Sequence, residues 1–324
     1  MHLASALPVV DRRGCGGNRQ EAQGDMKLCL GTAQFGMDYG VCGGRKPTLP
    51  DVISMLDYAT QNGVDAIDTA VAYGDAESVV GEFLRLRTLP REDLFVVSKF
   101  SSEIFGSDNQ RDYDSALIAQ VEESLKRLHL DYLDAYICHN PSAVCDERIA
   151  CAMKRIVDLG LTRHVGFSIY ESDEALSCLA NTKLDFIQAP FSVFDQRMSR
   201  DGVLSRCAQK NVDVHCRSVF VQGLALMEPN EVPEYLKGFR PYISSFRELC
   251  SECGVSPRSM AMAFVKNHAE ISHLVFGVDN MEQLRGNISS FNESVPTDVI
   301  DEAARLFFNI PSALVMPNKW RSGK

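Results

Sequence analysis

No stretch of this 324-residue chain is apolar for long enough to cross a bilayer, which takes about 20 consecutive apolar residues. Clusters of lysine and arginine are missing as well. With 33 basic residues against 43 acidic ones, the net charge is −10. Nucleic acids and anionic membrane surfaces reward basic clusters, so neither is expected as a partner. The Gly-x-Gly-x-x-Gly fingerprint of open dinucleotide-binding sheets is also absent, because the segment from Gly31 to Gly36 does not match it. Cys250 and Cys253 form a lone CxxC without the second Cys or His pair of a structural zinc site. They read as two thiols near a helix end, and no metal site is predicted. There is no internal repeat and no low-complexity tract. The first 25 residues carry only a short apolar run, Leu7 to Val10, with no basic region before it, which makes a poor secretory signal. Residues 1–25 are expected to be a disordered extension, with Met26 as a candidate true start.

Cysteine, in contrast, is abundant. The eleven are odd in number and irregular in spacing, and Cys29, Cys138 and Cys216 lie inside apolar runs where a thiol packs as a small hydrophobe. A reduced, cytoplasmic setting is expected.

The order of elements is regular. Short apolar runs predict strands at Lys27–Gly31, Val64–Asp68, Leu94–Lys99, Leu133–Cys138, His164–Phe167, Phe186–Ala189, Val212–Cys216 and His273–Phe276. Helix-period segments lie between them. Val52, Ile53, Met55, Leu56 and Ala59 mark a helix over 51–61, and Leu117, Ile118, Val121, Leu125 and Leu128 mark one over 116–128. A further helix is expected over 77–86, Ser172 reads as a helix start, and Lys210 with Asn211 as a turn. Strands that are apolar throughout and alternate with helices mean a parallel sheet covered on both faces. Eight such pairs predict a single-domain (β/α)8 TIM barrel over residues 26–310, followed by a tail over 311–324. The long gap from Ser218 to Arg240 is expected to be a lid or cofactor-covering loop.

Chemistry collects where strands end in such a barrel. Asp68 ends the second strand and Tyr73 follows on the loop; Lys99 ends the third strand and His139 follows the fourth. Any one of these alone is more often a cap or a salt-bridge partner. Together they are a complete set for reducing a carbonyl. A tyrosine can protonate the developing alkoxide, although its ordinary pKa of about 10 is high. A lysine ammonium beside it is expected to lower that value, a carboxylate to hold the lysine, and a histidine to orient the substrate oxygen.

On these residues the chain resembles the aldo-keto reductase superfamily. The matching pieces are Leu30 to Gly36, Gly63 to Gly74 with Glu77, Ser98 and Lys99, Ser124 to Asp134 leading to His139, and Gly160 to Ser168. Gln188 to Phe191 and Gly277 to Asn287 complete the series. The resemblance implies a nicotinamide cofactor, NADP(H) in the usual case, extended across the barrel mouth, with a small-molecule carbonyl as substrate. It places catalysis on Asp68, Tyr73, Lys99 and His139. It places the cofactor near Gly31 and Thr32, its nicotinamide ring against Arg217 with the carboxamide on Ser168 and Gln188, and its pyrophosphate and adenosine end along Ser218 to Leu224, including Gly223, and along Gly277, Asp279, Gln283 and Asn287. The opening from Gln34 to Gly40, with Cys216 to Phe220, is similar to a branch found among bacterial cell-surface sugar biosynthesis genes.

Three positions depart from the family pattern. Ile169 replaces the usual Asn after the serine, and Arg217 replaces the aromatic residue that stacks on the nicotinamide. Asp279 stands where a basic residue meets the adenosine 2′-phosphate, which makes NAD(H) a second cofactor to consider, with Arg285 near enough in sequence to compensate. Two other readings remain open at this level: a cofactor-binding barrel that acts as a sensor or partner subunit, and a barrel enzyme using Lys99 as a Schiff base. Substrate identity and oligomeric state are not set by the sequence.

Overall fold

The computed structural model describes residues 26–41, 44–87, 90–106, 112–139, 146–182 and 184–320. The expected extension over 1–25 and the last four residues of the tail lie outside these. Eight parallel strands close into a barrel in chain order, β1 next to β2 and so on round to β8 beside β1. They are β1 (Lys27–Gly31), β2 (Val64–Asp68), β3 (Phe95–Phe100), β4 (Leu133–Cys138), β5 (Thr162–Ser168), β6 (Phe186–Pro190), β7 (Asp213–Arg217) and β8 (His273–Gly277). Three coincide with the sequence expectation and the others differ by one or two residues at an end, where pairing with a neighbour strand rather than local pattern decides.

Helices cover the outside. Leu49–Gln61 follows β1, Ala76–Leu86 follows β2, and Tyr113–Leu128 follows β3. The helix Ser172–Asn181 begins as expected at Ser172, but Ser172 does not cap it. Glu174 instead turns back to accept the Glu171 N–H at 2.9 Å. Asn211 ends the helix before β7 in a left-handed conformation, φ 55°, as a turn residue should.

Apolar residues divide between two spaces. Most pack between sheet and helices in one large core. A smaller set fills the barrel interior, with Val97, Ala135, Ile137 and Phe186 in one cluster and Cys29, Ala66 and Val275 in another, both touched by Phe95. The strand pleat sends alternate residues inward, so each strand contributes to stacked layers. On β3 the inward sequence runs Phe95, Val97, Lys99, from floor to mouth. The mouth layer also takes Gly31, Asp68, Ser168, Gln188, Arg217 and Gly277, which register pairs side by side: Gly31 with Asp68 and with Gly277, and Ser168 with Gln188.

The stretch from Ser218 to Arg240 is less free than a bare loop. Short 3-10 turns at Leu224–Leu226 and Glu234–Phe239 organise it, and Val219, Leu224, Val232 and Leu236 are buried beneath it. The described part of the tail is also anchored. Val315 and Met316 are buried, and Lys319 pairs with Glu171 at 2.7 Å. Among the described residues no helix is long and apolar enough to cross a membrane.

Candidate active site

The loop after β2 is held by its own backbone. Thr69 and Val71 donate to the carbonyls of Val97 and Lys99, and Tyr73 closes a turn onto Ala70. A second restraint comes from the loop after β1. A Cβ on Gly36 would stand 1.7 Å from the Tyr73 carbonyl oxygen, and one on Gly74 would stand 2.3 Å from the Gly36 carbonyl oxygen. Gly74 also has φ 59°, in the left-handed region. Two glycines facing each other therefore let the loops touch main chain to main chain, and this contact sets where Tyr73 sits.

Lys99 is fully buried, and its Nζ lies 2.6 Å from Asp68 Oδ2, 3.0 Å from the Thr69 carbonyl and 3.4 Å from Tyr73 Oη. The other Asp68 oxygen accepts from Gln188 Nε2 at 2.6 Å, and Thr32 donates its hydroxyl to the Asp68 main-chain carbonyl at 3.0 Å. A buried ammonium needs such a partner set. The buried ion pair with Asp68 engages the Lys99 amine and opposes the Schiff-base reading. His139 meets the Tyr73 ring edge-on, with centroids 5.6 Å apart, and its main-chain N–H donates to the Phe100 carbonyl. The four residues expected at successive strand ends are thus gathered at one point of the rim.

The electrostatics correct one sequence expectation. Burial pushes the Tyr73 phenol well above its ordinary value, and the Asp68 charge raises it further, while Arg217 pulls the other way. Burial and the Asp68 charge therefore outweigh any lowering by a neighbouring cation. A phenol shifted in that direction is protonated at neutral pH, and the Lys99 ammonium lies 3.4 Å from its oxygen. Burial, then Lys99 and Arg217, hold His139 down to about 3. Its imidazole is neutral and can donate an N–H to an oxygen without carrying charge.

Above these residues opens a cavity of about 550 Å³. Of the residues expected to touch a cofactor, Gly31, Thr32, Gln188, Arg217, Ser218, Gly223, Gly277, Asp279, Gln283 and Asn287 line it. Ser168 does not, although it is buried and its Oγ has no hydrogen-bond partner among the described residues. An orphaned hydroxyl next to Gln188 suits a carboxamide, and the glycines along the wall leave room for a ligand to approach the backbone. The donor set fits a nicotinamide dinucleotide.

Sequence reading missed several wall residues. Tyr39 and Tyr170 come from loops, and Gln222 donates to Tyr39 Oη at 3.3 Å, joining two loops over the cavity. Val221, Gln222 and Gly223 all have positive φ, which a β-branched valine rarely accepts outside a functional loop. Arg258 also lines the wall, and a Cβ on Gly286 would come 2.1 Å from its Nη1. Its only sequence signal was its place just after Pro257 at a helix start. Arg285 does not compensate for Asp279. It is exposed and lies over the Tyr58 ring at 4.6 Å, away from the cavity wall.

A closed parallel barrel with a protonated phenol, a fixed ammonium and a neutral imidazole at the floor of a ligand-sized cavity belongs with the barrel oxidoreductases. The chain belongs to the aldo/keto reductase family, whose model matches residues 27–306. It is similar to the NADH-specific methylglyoxal reductase of Escherichia coli (strain K12), 24% identical over 261 residues that cover 71% of this chain and 79% of the relative. An aldo-keto reductase of Bacillus subtilis (strain 168) is 31% identical over 150 residues, 45% of each chain. Among solved structures, the holo form of an aldo-keto reductase from Bacillus halodurans superposes with a TM-score of 0.71 at 18% identity, covering 90% of this chain and 95% of that one. The protein is a nicotinamide-dependent, carbonyl-reducing oxidoreductase.

Proposed function

We propose that the protein reduces an aldehyde, ketone or sugar-like carbonyl, with Tyr73 as the proton donor. The observation that carries this reading is the chain of contacts Asp68–Lys99–Tyr73 beside His139 at the floor of the cavity. His139, neutral, donates to the carbonyl oxygen and fixes its direction. Tyr73 gives its proton to that oxygen as negative charge develops, and Lys99 stabilises the phenolate left behind. Asp68 and Gln188 hold Lys99 in place. A reduced nicotinamide, when bound, supplies the hydride. Ser168 and Gln188 would hold its carboxamide, Arg217 would lie against its ring, Ser218 and Gly223 would hold its middle, and Gly277, Gln283 and Asn287 its adenosine end. Asp279 favours NAD(H), since a carboxylate suits a ribose hydroxyl and repels a 2′-phosphate. The NADH-specific name of the Escherichia coli relative supports the same choice.

Fluorescence titration with NADH and NADPH, followed by turnover of a carbonyl panel, tests this reading. Wild type is expected to reduce at least one carbonyl. Tyr73→Phe is expected to bind cofactor as tightly and to lose about 10²–10⁴ of the rate, the usual contribution of a positioned acid. A phenylalanine variant that keeps its rate would remove Tyr73 from the chemistry. Cofactor binding without turnover of any carbonyl would favour the sensor reading.

A further inference from the structure

At the opposite end of the barrel from the cavity, the floor carries polar groups that carbonyl reduction does not use. His215 points inward from β7 and is wholly buried, yet neither ring nitrogen has a hydrogen-bond partner among the described residues. Its ring lies 4.1 Å, centroid to centroid, from that of His273 on β8. Asp213, at the start of β7, places Oδ2 4.0 Å from His215 Nε2. Asp65 on β2 places Oδ1 3.3 Å from His273 Nε2, while its other oxygen pairs with Lys27 at 2.6 Å. Buried polar groups are nearly always satisfied, and an imidazole with two unpaired nitrogens stands out.

The tautomer of His273 sharpens the point. Ser272 Oγ lies 3.2 Å from the Val214 carbonyl, to which it donates, and 3.0 Å from His273 Nδ1. A hydroxyl has one proton, so it accepts from Nδ1–H. In the neutral ring the lone pair of Nε2 then faces the Asp65 carboxylate. Two acceptors at 3.3 Å repel unless positive charge lies between them. A ligating histidine whose other N–H is held by a neighbouring polar group is the usual arrangement at a metal.

We propose that Asp213, His215 and His273 form a divalent transition-metal site of the zinc type at the barrel floor, with Asp65 as the fourth ligand. One donor atom from each of the three lies within 4.8 Å of the others. Ligands about 2.0–2.2 Å from zinc stand roughly 3.4 Å apart in a tetrahedron, so the donors close by about an ångström. Two imidazoles and carboxylates suit zinc, cobalt or nickel better than the hard ions magnesium and calcium. The Asp65 and Asp213 side chains are 30% and 31% exposed, which gives an ion a path from solvent. The site ties β2, β7 and β8 together at the end away from catalysis, so its role is structural.

The test uses the full chain without an affinity tag, stripped with a chelator and titrated with Co²⁺ and then Zn²⁺. The expected result is the visible d–d bands of tetrahedral Co²⁺, saturating at about one equivalent, bleached by Zn²⁺ and accompanied by a rise in Tm. His273→Gln and Asp213→Asn are each expected to lose the bands while keeping the circular dichroism and cofactor binding of the parent. Chelation is expected to leave carbonyl turnover unchanged. Absence of tetrahedral bands in wild type overturns the proposal, and so do bands that survive unchanged in a folded His273→Gln protein. In either case the cluster is satisfied by a proton between His273 and Asp65. If a variant fails to fold, the wild-type titration alone still decides.

Discussion

Arg217 donates from Nη2 to the main-chain carbonyl of Ile169 at 2.8 Å, and its guanidinium lies over the Tyr170 ring at 4.4 Å. Two of the three positions read from the sequence as departures from the family pattern are therefore one unit, with the Arg217 side chain held by the backbone of Ile169.

That guanidinium has no carboxylate partner among the described residues, and it lines the cavity close enough to influence both Tyr73 and His139. A half-buried cation without a counter-ion attracts an anionic group on the substrate. Arg217→Leu is expected to lower kcat/KM for a carbonyl bearing a carboxylate or phosphate by about 10–100-fold, the loss of one charge-assisted hydrogen bond. The neutral analogue is expected to change by less than about threefold. Steady-state kinetics on matched pairs of acidic and neutral aldehydes checks the split, and an equal loss on both would mean that Arg217 acts only on shape.

The pH profile of reduction follows from the two titrating groups. Tyr73 works protonated and is held well above its ordinary value, so activity is lost only as pH rises past that raised value. His139 works neutral and is held down to about 3, so its protonation lies below the range in which the enzyme is assayed. The profile of kcat/KM is expected to be flat from about pH 5 to about pH 9. A limb near pH 6.5, measured with a non-titrating substrate, would show that His139 titrates as an ordinary histidine.

Cofactor choice sets Asp279 against Arg258. Asp279 takes the Gln283 amide at 3.2 Å on one oxygen, and its Oδ1 is buried with no hydrogen-bond partner among the described residues. Asp279→Ser removes the repulsion and leaves Arg258 as the nearby cation of the wall. NADPH is expected to gain about tenfold in affinity relative to NADH, with a gain that shrinks as salt screens the phosphate. Paired titrations at two ionic strengths measure both effects.

One buried ion pair links the site's scaffold to its helices. Glu77, 2% exposed, accepts from Ser98 Oγ at 2.6 Å and from Arg127 Nε at 2.7 Å, so a helix, the strand that carries Lys99 and the next helix meet at one carboxylate. Arg127→Ala strands that charge. Since Arg127 is itself about a third exposed, the expected cost is about 2–3 kcal/mol, below the range for a fully buried pair. Thermal melts are expected to show a fall of several degrees, and Arg127→Lys to recover part of it.

The barrel was legible because eight apolar runs alternate with amphipathic helices, and the four candidate residues because each ends or follows such a run. Glu77 and Arg127 were visible only as matched family positions, and their meeting across two helices depends on packing. The wall residues escaped for a different reason. Tyr39, Tyr170 and Arg258 sit on connections whose paths no short-range pattern fixes, and Arg285 was misplaced because sequence distance on a helix does not say which face is turned to the cavity. The histidines of the floor read as ordinary strand residues, since their meeting requires the barrel to close.

The contact between Gly36 and Gly74 divides the mouth into two kinds of territory. The donor's position is fixed by main chain against main chain, a fit that no side chain writes and that either glycine would spoil by changing. The residues that would meet the far side of a substrate, such as Tyr39, Tyr170, Arg217 and Phe220, answer to no such constraint. On the proposed function, the same proton-delivery apparatus can therefore be aimed at new carbonyls by altering the wall alone, and a search for altered specificity should begin there and leave the two glycines untouched.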